Sequence, residues 1–102
     1  MSEFRLAPEA ETELDDIWLY IARESGSIDI AATHVVEKIA EHFWLLAQYP
    51  YLGRARDDDL RPGLRSFPAD GYLIIYRIAQ EHLVLILHIV HGSRDIGVLL
   101  GQ

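Results

Sequence analysis

An α+β fold, with an N-terminal helical hairpin packed on a small antiparallel sheet in the order β-α-α-β-β-β, follows from three features of this 102-residue sequence. Apolar residues recur at helical spacing through the first half, and the pattern changes to extended aromatic and β-branched runs after residue 63. An Asp-Gly pair, the common hairpin turn, separates two of those runs.

Glu3 to Ala7 is short and partly apolar and predicts a brief first strand. Pro8 then supplies a fixed φ and a missing N–H, which suit the first turn of a helix. From there Ala10, Leu14, Ile17, Trp18 and Ile21 make one helical face, and Glu9, Glu11 and Glu13 complement the positive end of the helix dipole. The acids from Glu9 to Asp16 therefore read as a charged, solvated helix start and not as a catalytic cluster. Ser25-Gly26-Ser27 breaks the pattern, with Gly26 as a left-handed cap and Ser27 or Asp29 capping the next helix. In that second helix, from Ile28 to Tyr49, Ala32, Val35, Val36, Ile39, Ala40, Phe43, Leu46 and Ala47 recur at spacings mostly of three and four until Pro50 ends it. His34 and His42 lie eight residues apart, too far along the helix to chelate one metal ion.

Tyr51 to Gly63 has no period and reads as an exposed loop. Its Arg54, Arg56 and Arg61 among Asp57, Asp58 and Asp59 read as solvated charge, with ligand binding by the arginines as the alternative. Leu64 to Phe67, Tyr72 to Ile78 and Leu83 to His91 are the remaining strands, joined by turns at Pro68 to Gly71 and Ala79 to Glu81. In the last strand the residues are apolar at odd and even positions alike, apart from His88, so both faces call for cover. One helical hairpin covers one face of such a sheet. The other, expected to carry Val84, Ile86 and Val90, is left for the tail (Val98, Leu99, Leu100), a second copy or a partner chain.

Composition narrows the function. The chain is 50% hydrophobic and carries a net charge of -7, which works against broad binding to a phosphate backbone. All of that excess lies in residues 1–49, where ten acids meet three basic residues; residues 50–102 balance six arginines against six acids. A grip on an anion or a carboxylate is therefore expected from the arginine-bearing second half. The absence of cysteine excludes disulfides, thiolate zinc sites and thiol chemistry. No apolar run approaches the roughly 18 residues that span a bilayer, so a single soluble, cytoplasmic domain over residues 1–102 is expected, with no cofactor and no metal.

No phosphate-cradling glycine loop or nucleophile motif is present. His88 and His91, three apart on a strand, point to opposite faces and are poorly placed to share a metal. The remaining group is Arg65, Arg77, His88, His91, Arg94 and Asp95. One reading leaves these as strand-end charges and histidines packed on the sheet. The other uses arginines to hold a phosphate and a histidine to move a proton, the parts of a metal-free ribonuclease.

The sequence resembles the ParE/RelE superfamily of toxins from bacterial type II toxin–antitoxin systems over nearly its whole length. The resemblance rests on Leu6-Ala7-Pro8-Glu9-Ala10 with Leu14 to Ile21, then Leu46 to Pro50 with Gly53-Arg54, Gly63 to Ser66, Tyr72 to Ile78, and His91 to Ile96. It implies the fold derived above and one of two activities: RelE-like members cleave messenger RNA on the ribosome, whereas ParE-like members poison DNA gyrase by binding. Here Arg65, Arg77 and His91 resemble functional positions of RelE-like toxins. Against that, the only lysine is Lys38, no tyrosine follows Tyr76, and the charge is -7. The ParE-like alternative is favoured. It implies a binding toxin neutralised by a cognate antitoxin encoded alongside, in a hetero-oligomer, with DNA gyrase as target and Arg65, Arg77, His91, Arg94, Val84, Ile86 and Val90 meeting partners. The alternatives are a ribonuclease using Arg65, Arg77 and His91, and an inactive homologue acting as a binding module.

Overall fold

The structure, a computed structural model, describes residues 3–26 and 29–92. Strand β1 (Phe4–Leu6) leads directly into helix α1 (Pro8–Ser25), which begins with Pro8 and carries Glu9 and Glu11 in its first turn. Gly26 closes it at φ 68°, the left-handed conformation open to a residue without Cβ. Helix α2 (Asp29–Gln48) returns antiparallel to α1, as the break at residues 25–27 predicts, and the Trp18 indole N–H donates to Thr33 Oγ1 at 3.2 Å across the pair.

Among the described residues the sheet holds five strands, because the loop contributes one that its sequence concealed: β2 (Arg54–Ala55), with β3 (Leu64–Ala69), β4 (Tyr72–Ile78) and β5 (Val84–His91) following. Two residues are too short to show a period. The order is β1-β5-β4-β3-β2. All neighbours are antiparallel except β1, which runs parallel to β5 with Phe4 opposite Val84 and Leu6 opposite Ile86. A parallel pair needs a long crossover, and nearly the whole chain lies between these two strands. Asp70 and Gly71 take φ of 52° and 87° in the β3–β4 turn, as the Asp-Gly pair predicts. The β4–β5 turn does the same with side-chain-bearing residues: Glu81 and His82 sit at φ 59° and 61°.

A register shift divides β5. Ile75 pairs with His88 but Tyr76 pairs with Ile86, so Leu87 is one extra residue on β5, a β-bulge. The side chains that face the helices are consequently Val84, Ile86 and Ile89, not a set with constant parity. They join Ile39, Phe43, Leu46, Ile74 and Tyr76 in the main core. On the opposite face Leu60, Leu64 and Ile75 are buried together, with Leu73 and Leu87 packed against them. The segment read as a plain exposed loop thus sends Leu60 over the second face of the sheet, leaving it 7% exposed.

Candidate functional site

The polypeptide between α2 and β3 is built around Tyr76. This residue is wholly buried on the helix side of β4, yet its hydroxyl donates to Pro50 O at 2.8 Å and accepts from Gly53 N–H at 2.9 Å. A buried phenol needs such partners. Gly53 lies so close to the ring that a Cβ there would overlap the Tyr76 hydroxyl and stand 2.8 Å from Ser66 O. Arg65, on the adjacent strand position opposite Tyr76, completes the hold: Nε and Nη2 donate to Gly53 O at 3.1 and 2.7 Å, Nη2 donates to Tyr51 O at 3.1 Å, and the guanidinium lies 5.3 Å from the Tyr51 ring centre. The His82 ring meets the same tyrosine edge-on.

Further along, Arg56 clasps Asp59 through Nε at 2.9 and 3.0 Å and Nη2 at 2.6 Å, and Nη1 donates to Ser66 Oγ at 2.9 Å. The hydrogen bonds from Arg56 hold the Asp59 carboxyl below its ordinary range, and the same carboxylate raises Arg56. Asp57 accepts from Gly63 N–H at 2.7 Å. These contacts fold the turn that carries Leu60 onto the sheet. Three of the loop charges read as solvated, Arg56, Asp57 and Asp59, are therefore parts of its internal frame. Arg54 remains exposed.

The sequence-predicted site residues do not converge. Arg65 faces the helix side, and its fork is occupied by backbone carbonyls. Arg77 adjoins the inward-facing Tyr76 on β4, lies exposed on the opposite face and pairs with Leu64 in register. His91 pairs with Tyr72 and meets its ring edge-on, four residues along β4 from the Tyr76 level at which Arg65 sits, roughly 13 Å at strand rise. Val84 and Ile86 are fully buried beneath the helices, so neither offers a partner any surface; the bulge at Leu87 puts them there. Val90, opposite Leu73, does belong to the second face and is 5% exposed. Arg94, Asp95 and the tail residues Val98, Leu99 and Leu100 lie outside the described residues. Among the described residues no group of three or more His, Asp or Glu is placed to hold a metal ion. None of their helices is long and apolar enough to cross a membrane.

One residue dismissed as solvated charge has a defined position. Glu13, on α1, accepts the Ile89 backbone N–H at 2.9 Å and lies 3.2 and 3.3 Å from His88 Nδ1. Strand β1 ends before it can pair with this stretch of β5, so the carboxylate takes the place of a neighbouring strand. No local pattern distinguishes Glu13 from Glu9 or Glu11; only the closeness of α1 to the β5 edge does. Exposed apolar side chains gather elsewhere, with Trp44, Leu45, Tyr49, Tyr51 and Leu52 following one another closely around the end of α2 and Leu19 and Tyr20 on α1.

The fold is thus α+β: a helical hairpin on one face of a five-stranded mixed sheet, with the loop between α2 and β3 sewn to the sheet by Tyr76, Arg65 and Arg56. A chain of the solved chromosomal ParDE toxin–antitoxin system from P. aeruginosa has this fold at a TM-score of 0.74 and 22% identity, over 89% of this chain and 96% of that one. The family model described as ParE toxin of type II toxin–antitoxin system, parDE, matches residues 4–96. Toxin ParE1 of Caulobacter vibrioides is 31% identical over 99% of this chain and 100% of its own length, and toxin ParE3 of the same organism is 33% identical over 88% and 86%. The chain belongs to the ParE toxin family of type II toxin–antitoxin systems.

Proposed function

We propose that this ParE-family toxin acts by binding DNA gyrase, not by cutting RNA, and that a cognate antitoxin neutralises it in a hetero-oligomer in the cytoplasm. The observation that carries this reading is the dispersal of the phosphate-handling residues. Metal-free phosphodiester cleavage needs an acid or base and cationic donors within hydrogen-bond reach of one phosphate. Arg65 is committed to the 51–53 backbone, Arg77 lies on the other face and His91 at the far end of the strands. The acidic balance of -7 adds to this, because an acidic protein gains little from the ribosome's phosphates.

A binding toxin needs surface instead. Arg77 and Arg54 are exposed, and the aromatic and aliphatic cluster from Trp44 to Leu52 offers the side chains that dominate interface cores. Arg65 contributes by shaping this region through Tyr51 and Gly53, and His91 and, on the sequence alone, Arg94 are further candidates for partner contact. The deciding experiment incubates the purified protein with gyrase, ATP and supercoiled plasmid, and in parallel with translating ribosomes. Accumulation of cleaved or relaxed plasmid with intact messenger RNA is the expected result. Ribosome-dependent cleavage that disappears in His91→Ala would establish the nuclease instead. Growth arrest on induction, relieved by co-expression of the adjacent small open reading frame, tests the antitoxin.

A further inference from the structure

Between α1 and the neighbouring ends of β4 and β5 lies a cleft of about 600 Å³ that the gyrase and antitoxin assignments leave without a role. Its walls are chemically mixed. Ile17 and Ile89 form an apolar floor at 8% and 2% exposure, Tyr20 and Tyr72 supply two aromatic rings, and Glu13 and Asp16 supply carboxylates. Burial, and then the proximity of the Tyr20 phenol, raise the Tyr72 phenol above its ordinary value, which keeps it an uncharged hydroxyl. Glu13 is anchored by the Ile89 N–H and His88, whereas Asp16 is exposed at the mouth. Among the described residues no lysine or arginine lines the cleft, and His91, part of its lining, is turned edge-on to Tyr72.

We propose that this cleft receives a cationic side chain, an arginine or lysine, of a partner polypeptide that crosses the acidic face of α1. Aromatic rings such as those of Tyr20 and Tyr72 in the lining attract a cation that stacks on them, through their quadrupoles. The exposed Asp16 carboxylate pairs with its charge, the anchored Glu13 carboxylate adds to the negative field, and the isoleucines accept the methylene stem that such side chains bury. The field around the cleft has the matching sign over a longer range: α1 carries six acids against one arginine, so a basic segment is drawn to this helix while phosphate is repelled. Exposed Leu19 and Tyr20 on the same helix give that segment apolar contacts beside the cation. The partner is thus a basic, partly apolar peptide. Assigning it to the antitoxin rests on the function proposed above; the recognition chemistry does not.

The test is a titration of the isotope-labelled full-length protein with N-acetyl-arginine amide, followed by amide chemical shifts, against N-acetyl-citrulline amide as the uncharged control. Saturable shifts confined to residues around Asp16, Tyr20, Tyr72 and Ile89 are expected with arginine and not with citrulline. Affinity should fall at least several-fold in Asp16→Asn and in Tyr20→Ala. Both residues are exposed, and the same spectra report whether each variant is folded. Equal response to citrulline, shifts spread along Glu9, Glu11 and Asp15 as for a diffuse acidic surface, or unchanged affinity in both folded variants would overturn the proposal. A second arm measures the antitoxin encoded alongside against the Asp16→Arg variant. A loss of tenfold or more in affinity is expected, and unchanged affinity would exclude the antitoxin as occupant while leaving the toxin assignment intact. If the unaltered protein binds no such antitoxin, the functional reading fails and the arginine titration still decides the cleft.

Discussion

The two faces of the sheet are built from the same kinds of residue and are covered by different means. Under the helices, Ile39, Phe43, Leu46, Ile74, Tyr76, Val84 and Ile86 are almost wholly buried in one cluster. On the opposite face, two buried residues, Leu64 and Ile75, and two partly buried ones, Leu73 and Leu87, are closed among the described residues by a single loop side chain, Leu60, on a turn held by the Arg56–Asp59 clasp. A regular element covers a face through many side chains on a fixed backbone, whereas a loop covers it through one side chain whose placement depends on polar ties. Damage on the helix side should therefore be paid in apolar packing, and damage on the other side in loss of order around residues 50–66.

The largest effect is expected from Phe43→Ala, which opens the helix-side core and should destabilise the protein by about 3 to 5 kcal/mol in chemical denaturation. Leu60→Ala should cost less, about 2 to 3 kcal/mol, because a turn can settle into the space more readily than a helix. A loss for Leu60→Ala equal to that for Phe43→Ala would break the comparison, since it would make the loop as rigid a cover as the hairpin. Tyr76→Phe keeps the packing but leaves the Gly53 N–H and Pro50 O without their partner, at about 1 to 3 kcal/mol. Amide exchange should quicken over residues 50–55 in this variant and stay unchanged in α1.

Glu13→Ala removes the acceptor at the β5 edge, and a loss of about 1 to 2 kcal/mol is expected. Glu13→Gln retains an oxygen for the Ile89 N–H and should recover most of it; equal losses would show that the charge, through His88, matters more than the amide bond. The smallest effect belongs to Asp59→Asn, at a solvent-exposed carboxylate. Because Arg56 depresses the folded-state pKa of Asp59 below 3.8, this group stabilises the fold above that pH, and its contribution disappears as pH falls through the lower folded value. The difference between the wild type and Asp59→Asn should accordingly be present at neutral pH and vanish in strong acid. Its partner Arg56, raised by the hydrogen bond to Asp59, contributes throughout the neutral range and is lost only at strongly alkaline pH.

How far the sequence exposes this design differs from element to element. Pro8, Gly26 and the Asp70-Gly71 turn are local devices, and each does in the structure what its chemistry predicts. Strand β2 is not legible, since two exposed residues carry no period and their pairing with Ser66 and Arg65 is a matter of neighbours distant in sequence. The candidate site was legible only in its membership: Arg65 is a structured residue, but its partners are the carbonyls of Tyr51 and Gly53, which no side-chain pattern reveals. Likewise Gly53 belongs to the family resemblance, yet the reason it must be glycine is the phenol of Tyr76, 23 residues away.

By itself the sequence determined the α+β class, the helical hairpin, the hairpin-linked strands and the separation of charge, because these depend on short-range periodicity, turn chemistry and composition. Tertiary structure decided which face each side chain occupies. A single extra residue at Leu87 turns Val84 and Ile86 into the helix core and leaves Val90 opposite Leu73, a change of face that alternation along one strand cannot register. It also decided that Glu13 differs from its acidic neighbours and that Arg65, Arg77 and His91 stay apart. Burial and hydrogen-bond partnership are properties of pairs distant in the chain, fixed only when the strand register is fixed.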